Sequence, residues 1–312
     1  MTVYRYKKNE RLPIGNCSVA IGFFDGVHLA HRDLILTAVN EAKRLGIPSG
    51  AVTFCSDSQI KAGTPRLYST NQRLSLIESL GVDFAVVCDF SEIACLSGED
   101  FVSDVLVGDI GAVRVVAGFN FKFGKGASSD AAALCRYMSR SGGEAIIKEP
   151  FLFLGEPLSS TFIRGLLAEG KAEEACRALG APYVISGVVE HGREVGRVLG
   201  FPTVNLELPT GRVELKRGVY RCAARVRDRV YHAVTNVGIC PTFDKRRTHA
   251  ETHLIDFSDE IYGEKVELAF LGYLREEVRF ESPEKLKMQI IVDKKRTVEE
   301  NGEILWQGFG LS

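Results

Sequence analysis

The residues able to do chemistry fall into two groups: histidines and hydroxyls in the first half, a glycine–proline–threonine loop and a distant glutamate in the second. His28 and His31 stand three apart at the start of a helical pattern, so both fall on one side of the opening turn. Backbone N–H groups at a helix start add positive partial charge, and the combination suits a polyphosphate whose α-phosphorus is under attack. A blander account has one histidine capping the turn and the other packing. Far downstream, Ser159-Ser160-Thr161-Phe162-Ile163-Arg164 offers hydroxyls and backbone donors at another helix start, with the Arg164 guanidinium one turn on. That set fits a departing pyrophosphate. Later, Gly192, Gly196 and Gly200 permit positive φ in a loop that can wrap phosphates. Pro202 fixes the chain before Thr203, whose hydroxyl is a hard oxygen ligand for Mg2+. Asn205, two residues on, projects to the same side if the segment is extended.

These groups need elements to hold them. A chain of 312 residues suits two domains. Its 45% hydrophobic and 25% charged residues are ordinary for globular proteins. A net charge of −1 gives no field for general nucleic-acid or membrane binding. No apolar run approaches the ~18 residues of a membrane span, and the opening MTVYRYKKNERLP lacks a secretion signal's apolar stretch. The 8 cysteines form no Cys-x-x-Cys pair, so they read as small core residues of a reducing, cytoplasmic compartment.

Short apolar runs at 18–23, 50–54, 83–87, 113–117 and 144–147 alternate with helical patterns at 31–45, 70–80, 98–106 and 131–141. Buried strands separated by helices predict βαβ units and a parallel, Rossmann-like sheet, with ligands beyond the strands' carboxyl ends. A helix is expected from Ser160 to about Leu179, closing at Gly180-Ala181-Pro182, which sets domains of 1–181 and 182–312. Beyond it, runs at 183–190, 218–227, 229–237, 250–255 and 265–274 with glycine-rich turns predict a small antiparallel β-barrel. Ser282-Pro283-Glu284 opens a final helix.

The Gly22-Phe23-Phe24-Asp25-Gly26-Val27-His28-Leu29-Ala30-His31 turn and the late Ser-Thr-x-x-Arg segment resemble the two signatures of the nucleotidyltransferase superfamily. Gly118-Phe119-Asn120-Phe121-Lys122-Phe123-Gly124 narrows the likeness to bacterial bifunctional riboflavin kinase/FAD synthetases. In the second half, His191-Gly192-Arg193, Gly196 through Asn205, Asn236 through Phe243, Glu251 through Phe257, Tyr262-Gly263 and Phe270 through Arg275 resemble the riboflavin kinase module in order and spacing. Two departures stand out: Ala30 replaces the family's glycine between the histidines, and Thr53-Phe54-Cys55-Ser56-Asp57-Ser58 replaces its Thr-Phe-Asp-Pro-His-Pro.

The resemblance implies an ATP-dependent enzyme that phosphorylates riboflavin to FMN and then adenylylates FMN to FAD, releasing pyrophosphate. It implies Mg2+ with ATP, and no tightly bound prosthetic group. His28 and His31 would serve the adenylyl transfer, and Glu251 would be the kinase base. Gly22, Asp25, Gly26, Asn120, Ser160, Thr161, Arg164, Gly192, Gly196, Gly200 and Pro202 would contact ATP and its phosphates. Phe54, Phe123 and Arg275 would meet flavin, and Thr203 with Asn205 the metal. Partners are then small molecules (riboflavin, FMN, ATP) without nucleic acid or membrane, and a homo-oligomer is compatible with this. A kinase-only reading with a degenerate first domain stands beside it. A non-catalytic flavin sensor has no use for a base at 251, and a cytidylyltransferase leaves 183–300 unexplained.

Overall fold

The computed structural model describes residues 1–55, 64–190, 201–240 and 247–301. They fall into two compact units, one of residues 1–160 and one beginning at Thr161.

The first unit is a parallel sheet of six strands, β1 (Thr2–Arg5), β2 (Cys17–Ile21), β3 (Ser49–Phe54), β4 (Phe84–Cys88), β5 (Ala112–Gly118) and β6 (Glu144–Lys148). Their order is β1-β4-β3-β2-β5-β6. Every residue of β2 and of β4 is buried, as expected of strands covered on both faces. The order reverses between β2 and β5, and the loops leaving these two strands flank the crevice where such sheets bind ligands.

Helix α1 (Leu29–Leu45) follows β2 and buries Leu34, Ile35, Ala38, Val39 and Ala42 along one stripe. Gly46, left-handed at φ 67°, ends it. Helix α2 (Thr70–Glu78) starts with a capping box in which Ser69 and Gln72 satisfy each other's backbone. The predicted helix at 98–106 is a short turn, Gly98–Asp100, running into a wider coil, Phe101–Asp109. Helix α3 (Ala131–Arg140) precedes β6, and a hairpin of β7 (Leu152–Phe153) and β8 (Glu156–Pro157) closes the unit.

The helix expected from 160 to 179 is two, α4 (Ser160–Ala168), whose first residue ends the first unit, and α5 (Ala172–Leu179). Gly170 sits between them at φ 80°, a left-handed backbone that a continuous helix cannot contain. Helix α5 packs on the barrel, where the Cys176 thiol donates to the Phe270 carbonyl at 3.2 Å. The barrel closes through β9 (Tyr183–Glu190), β10 (Thr203–Glu207), β11 (Gly218–Val226), β12 (Arg229–Cys240), β13 (Arg247–Leu254) and β14 (Lys265–Arg275), in the order β10-β13-β12-β11-β14-β9.

Along β10, β12 and β13, which pair without a bulge, side chains alternate between its faces. Leu206, Ala250 and Val237 oppose one another and are fully buried, as are Thr252 and Thr235, whose hydroxyls meet at 3.1 Å inside. Helix α6 (Pro283–Asn301) lies outside, against β11 and β12.

Candidate active sites

The first site starts where β2 leaves the sheet. The Gly22 N–H still reaches the Val52 carbonyl at 3.1 Å. Phe24, Gly26 and Val27 then take positive φ values of 53°, 92° and 43°. For the two non-glycine residues this costs about 1–2 kcal/mol each, so the surrounding structure must hold the turn. Asp25 does much of that. Its buried carboxylate accepts the Leu67 and Tyr68 N–H groups at 3.0 and 3.3 Å, and its carbonyl accepts the Ser160 hydroxyl at 2.8 Å. A residue expected at the phosphates thus buttresses the turn.

His28 caps α1, its Nδ1 accepting the His31 N–H at 3.4 Å. The proton of the neutral ring is therefore on Nε2, which leaves a donor for a ligand. The two imidazoles stack with centroids 3.6 Å apart, and Phe24 meets His31 edge-on at 5.4 Å. Burial pushes the His28 pKa down to about 3. His31 falls well below its ordinary value through burial and then the charges of His28 and Arg73. The capping-and-packing account describes this pair, and that packing keeps the rings neutral and fixed. The Nδ1 of His31 is enclosed without a hydrogen-bond partner.

Across the crevice, Asn120 is exposed just after β5, beside an exposed Phe119. Phe123, expected at flavin, is a core residue, stacked on Phe121 at 5.3 Å and packed on Phe101 at 5.8 Å. Phe54, half-buried, ends β3. Thr161 and Arg164 lie in the second unit, one turn apart on α4, with the guanidinium donating to the Thr161 hydroxyl at 2.8 Å.

The second site is on the barrel's outer face. Strand register places Asn205 of β10 and Asn236 of β12 directly opposite Glu251 of β13, one on each side. Thr203 shares that face, and its hydroxyl donates to Glu251 Oε1 at 3.0 Å. Glu251 is exposed, while Thr203 and Asn205 are half-buried. The glycines expected to complete this site, Gly192, Gly196 and Gly200, lie outside the described residues. Pro202 is exposed, and its carbonyl accepts from His253 Nδ1 at 2.9 Å. Burial lowers the His253 pKa, so a neutral imidazole anchors the backbone immediately before Thr203.

Asn236 and His253 lie in blocks that carry the kinase resemblance but had no role assigned, and Glu277 lay outside them. Asn236 Nδ2 donates to Glu277 Oε1 at 3.0 Å, and a Cβ on Gly238 would come within 2.6 Å of that same oxygen. The signal that could have found Asn236 and His253 was strand pairing: both sit across from residues already singled out. Arg275, expected at flavin, is clasped to the buried Asp293 of α6, at 3.0 Å from Nε and 2.8 Å from Nη2.

Burial lifts the thiols of Cys17, Cys88 and Cys222 to about 12, so these three stay protonated and inert. Among the described residues, no helix is long and apolar enough to cross a membrane.

Comparison with known proteins follows the same division. The family model for FAD synthetase matches residues 12–162, and that for riboflavin kinase residues 179–300. The bifunctional riboflavin kinase/FMN adenylyltransferase of Bacillus subtilis is 32% identical over 90% of this chain and 91% of its own length. That of Escherichia coli is 32% identical over 91% of this chain and 93% of its own. The crystal structure of a macrolide-efflux protein from Streptococcus pneumoniae superposes with a TM-score of 0.87 at 29% identity, covering 97% of this chain and 100% of that one. With both halves matched in order and relatives above 30% identity along nearly its whole length, the chain belongs to the bifunctional riboflavin kinase/FMN adenylyltransferase family.

Proposed function

We propose that this chain transfers the γ-phosphoryl group of ATP to riboflavin, giving FMN, and then the adenylyl group of a second ATP to FMN, giving FAD and pyrophosphate. The observation that carries the reading is the Thr203–Glu251 contact at 3.0 Å, on a face shared with Asn205. It joins a hydroxyl, a carboxylate and an amide from two paired strands at the place where the riboflavin kinase family model runs.

In the kinase half, the ribityl 5′-hydroxyl is neutral and loses a proton as its oxygen bonds to the γ-phosphorus. Glu251 accepts that proton late, because phosphoryl transfer has a loose transition state. The exposed carboxylate then returns it to water. The hydroxyl of Thr203 holds the carboxylate in one orientation, and His253 holds the backbone behind Thr203.

The same residues fit Mg2+. Thr203 and Asn205 offer hard oxygens without thiolate or imidazole, the donor set this ion prefers. Among the described residues no group of three or more His, Cys, Asp or Glu is placed to hold a metal alone, so nucleotide phosphates and water would complete the shell. When bound, the ion supplies charge neutralisation at the phosphates.

In the adenylyltransferase half, FMN's phosphate is already anionic and needs no base. It attacks the α-phosphorus in line, with His28 and His31 donating to the charge that develops there. Gly22, Asp25 and Gly26 shape the turn beneath the phosphates, and Asn120 faces the crevice. Ser160, Thr161 and Arg164 receive the pyrophosphate. Phe54 and Phe123 serve the flavin pocket, Phe123 from the core. Arg275 reaches a flavin phosphate by exchanging Asp293 for it. Residues 1–181 carry the adenylyl transfer and 182–312 the phosphoryl transfer, in a cytoplasmic enzyme able to form homo-oligomers.

The test is chromatography of products from riboflavin and Mg-ATP. FMN followed by FAD is expected; FMN alone leaves a kinase, and neither product overturns the reading.

A further inference from the structure

Arg73 is the largest fully buried side chain among the described residues of this protein. Burying a guanidinium is costly unless its donors are satisfied, so the position of its acceptors says what it is there for. It projects from α2, and its fork spans the ends of two neighbouring strands. Nη1 donates to the Phe23 carbonyl just beyond β2, and to the Thr53 hydroxyl of β3 at 2.8 Å. Nη2 donates to the Phe54 carbonyl, the last of β3, at 2.8 Å, and to Thr70 Oγ1 of its own helix at 3.3 Å. Its carbon also lies 4.4 Å over the Phe23 ring.

The sheet's own bonding explains the need. Between β2 and β3 the ladder ends with the Gly22 N–H on the Val52 carbonyl, because beyond it the strands part. The Phe23 carbonyl then has no partner in the sheet. Thr53 donates its hydroxyl proton to it at 3.1 Å, while the Thr53 oxygen accepts from Arg73, so one side-chain unit continues the sheet where the backbone cannot. That unit sits five residues before His28, at the root of the strained turn, and the charge of Arg73 is felt at His31. On the β3 side it holds the strand's last two residues, the point where Cys55-Ser56-Asp57-Ser58 departs from the family's proline-rich loop.

We propose that Arg73, acting with Thr53, is a positioning residue for adenylyl transfer: its guanidinium fixes the separation of the β2 and β3 ends, and so aims the His28–His31 turn at the α-phosphorus. The inference rests on the adenylyltransferase reading above. It assigns Arg73 no contact with substrate.

The experiment uses the whole chain with Arg73→Met, Arg73→Lys, Thr53→Val and the R73K/T53V double variant, measuring riboflavin-to-FMN and FMN-to-FAD rates separately. A turn misaimed by an ångström loses about 100-fold, so R73M is expected to cut FAD formation by about that factor, mostly in kcat, with FMN formation within about twofold of wild type. A lysine reaches one strand end but not both, so R73K and T53V should each lose about tenfold, and the double variant should be no slower than R73K, since residues of one unit do not add.

Wild-type FAD rates in R73M would overturn the proposal. So would loss of FMN and FAD formation together in R73M, or losses that multiply in the double variant. Should R73M fail to fold, R73K and T53V decide: FAD rates unchanged in both reject the clasp. A wild-type chain that makes FMN but no FAD removes the adenylyltransferase reading itself, a result distinct from any variant's.

Discussion

The two sites are built in opposite ways. At the first, the imidazoles of His28 and His31 are packed against Phe24 and kept neutral, at the end of a parallel sheet, with buried Asp25 and Arg73 bracing the loop. At the second, Glu251 stands exposed on an antiparallel wall, held by one hydroxyl. The attackers of the two proposed reactions would account for the contrast. An anionic phosphate needs aimed donors and no proton acceptor, which favours a stiff, enclosed turn. A neutral alcohol must shed a proton, which favours a carboxylate in contact with water.

The sharpest way to break this comparison is Glu251→Gln. FMN formation should fall about 10³-fold, the scale of a lost general base, while FAD formation from supplied FMN continues. A substantial residual kinase rate with normal folding would return Glu251 to an ordinary surface residue. His28→Ala is the mirror experiment: FAD formation should drop about 10²-fold through loss of a fixed donor and cap, with FMN formation intact. An unaffected adenylyltransferase would show that the stacked pair only packs.

Smaller effects sharpen the contrast. Asp293→Asn leaves the Arg275 guanidinium facing a neutral amide in a mostly enclosed site; chemical denaturation should register a loss of about 3 kcal/mol. If the second unit's melting is unchanged, the clasp is not structural.

The folded-state pKa of His28 lies below its ordinary 6.5, so the unfolded chain binds the proton more readily. The stability contributed by the neutral ring is therefore complete above 6.5 and drains away as pH falls from there toward about 3. Thermal melts across that window should decline less steeply in His28→Asn than in wild type; equal slopes would place the titration elsewhere.

Much of this was legible in the residues. Continuous apolar runs mark β2 through β6 because both faces of a parallel sheet are covered. Thr203, Asn205 and Glu251 were found from motif and chemistry, and the register brings them onto one face. What escaped did so for physical reasons. β1 is a four-residue, mostly exposed edge strand with little pattern to read. β10 is absent from the predicted strand runs, since its extended form depends on pairing with β13 and β9. The break at Gly170 was hidden because an isolated glycine inside a helical pattern is usually tolerated. Arg73, amid Thr70, Asn71 and Gln72, has the look of a solvated helix face; only the carbonyls waiting at two strand ends, far away in the chain, make it a core residue.

Closure of the barrel has a consequence for how this enzyme can change. The barrel has no open edge, and β13 pairs with β10 and β12 without the bulges that β11 and β14 carry, so its odd positions point out while even ones point in. A single-residue deletion within it would swap the carboxylate with the methyl and hydroxyl of Thr252, sending a charge into the interior. With Glu251 as the proposed base, kinase chemistry would be guarded by parity: loops between strands are free to lengthen over evolutionary time, but the strand bearing Glu251 must keep its count.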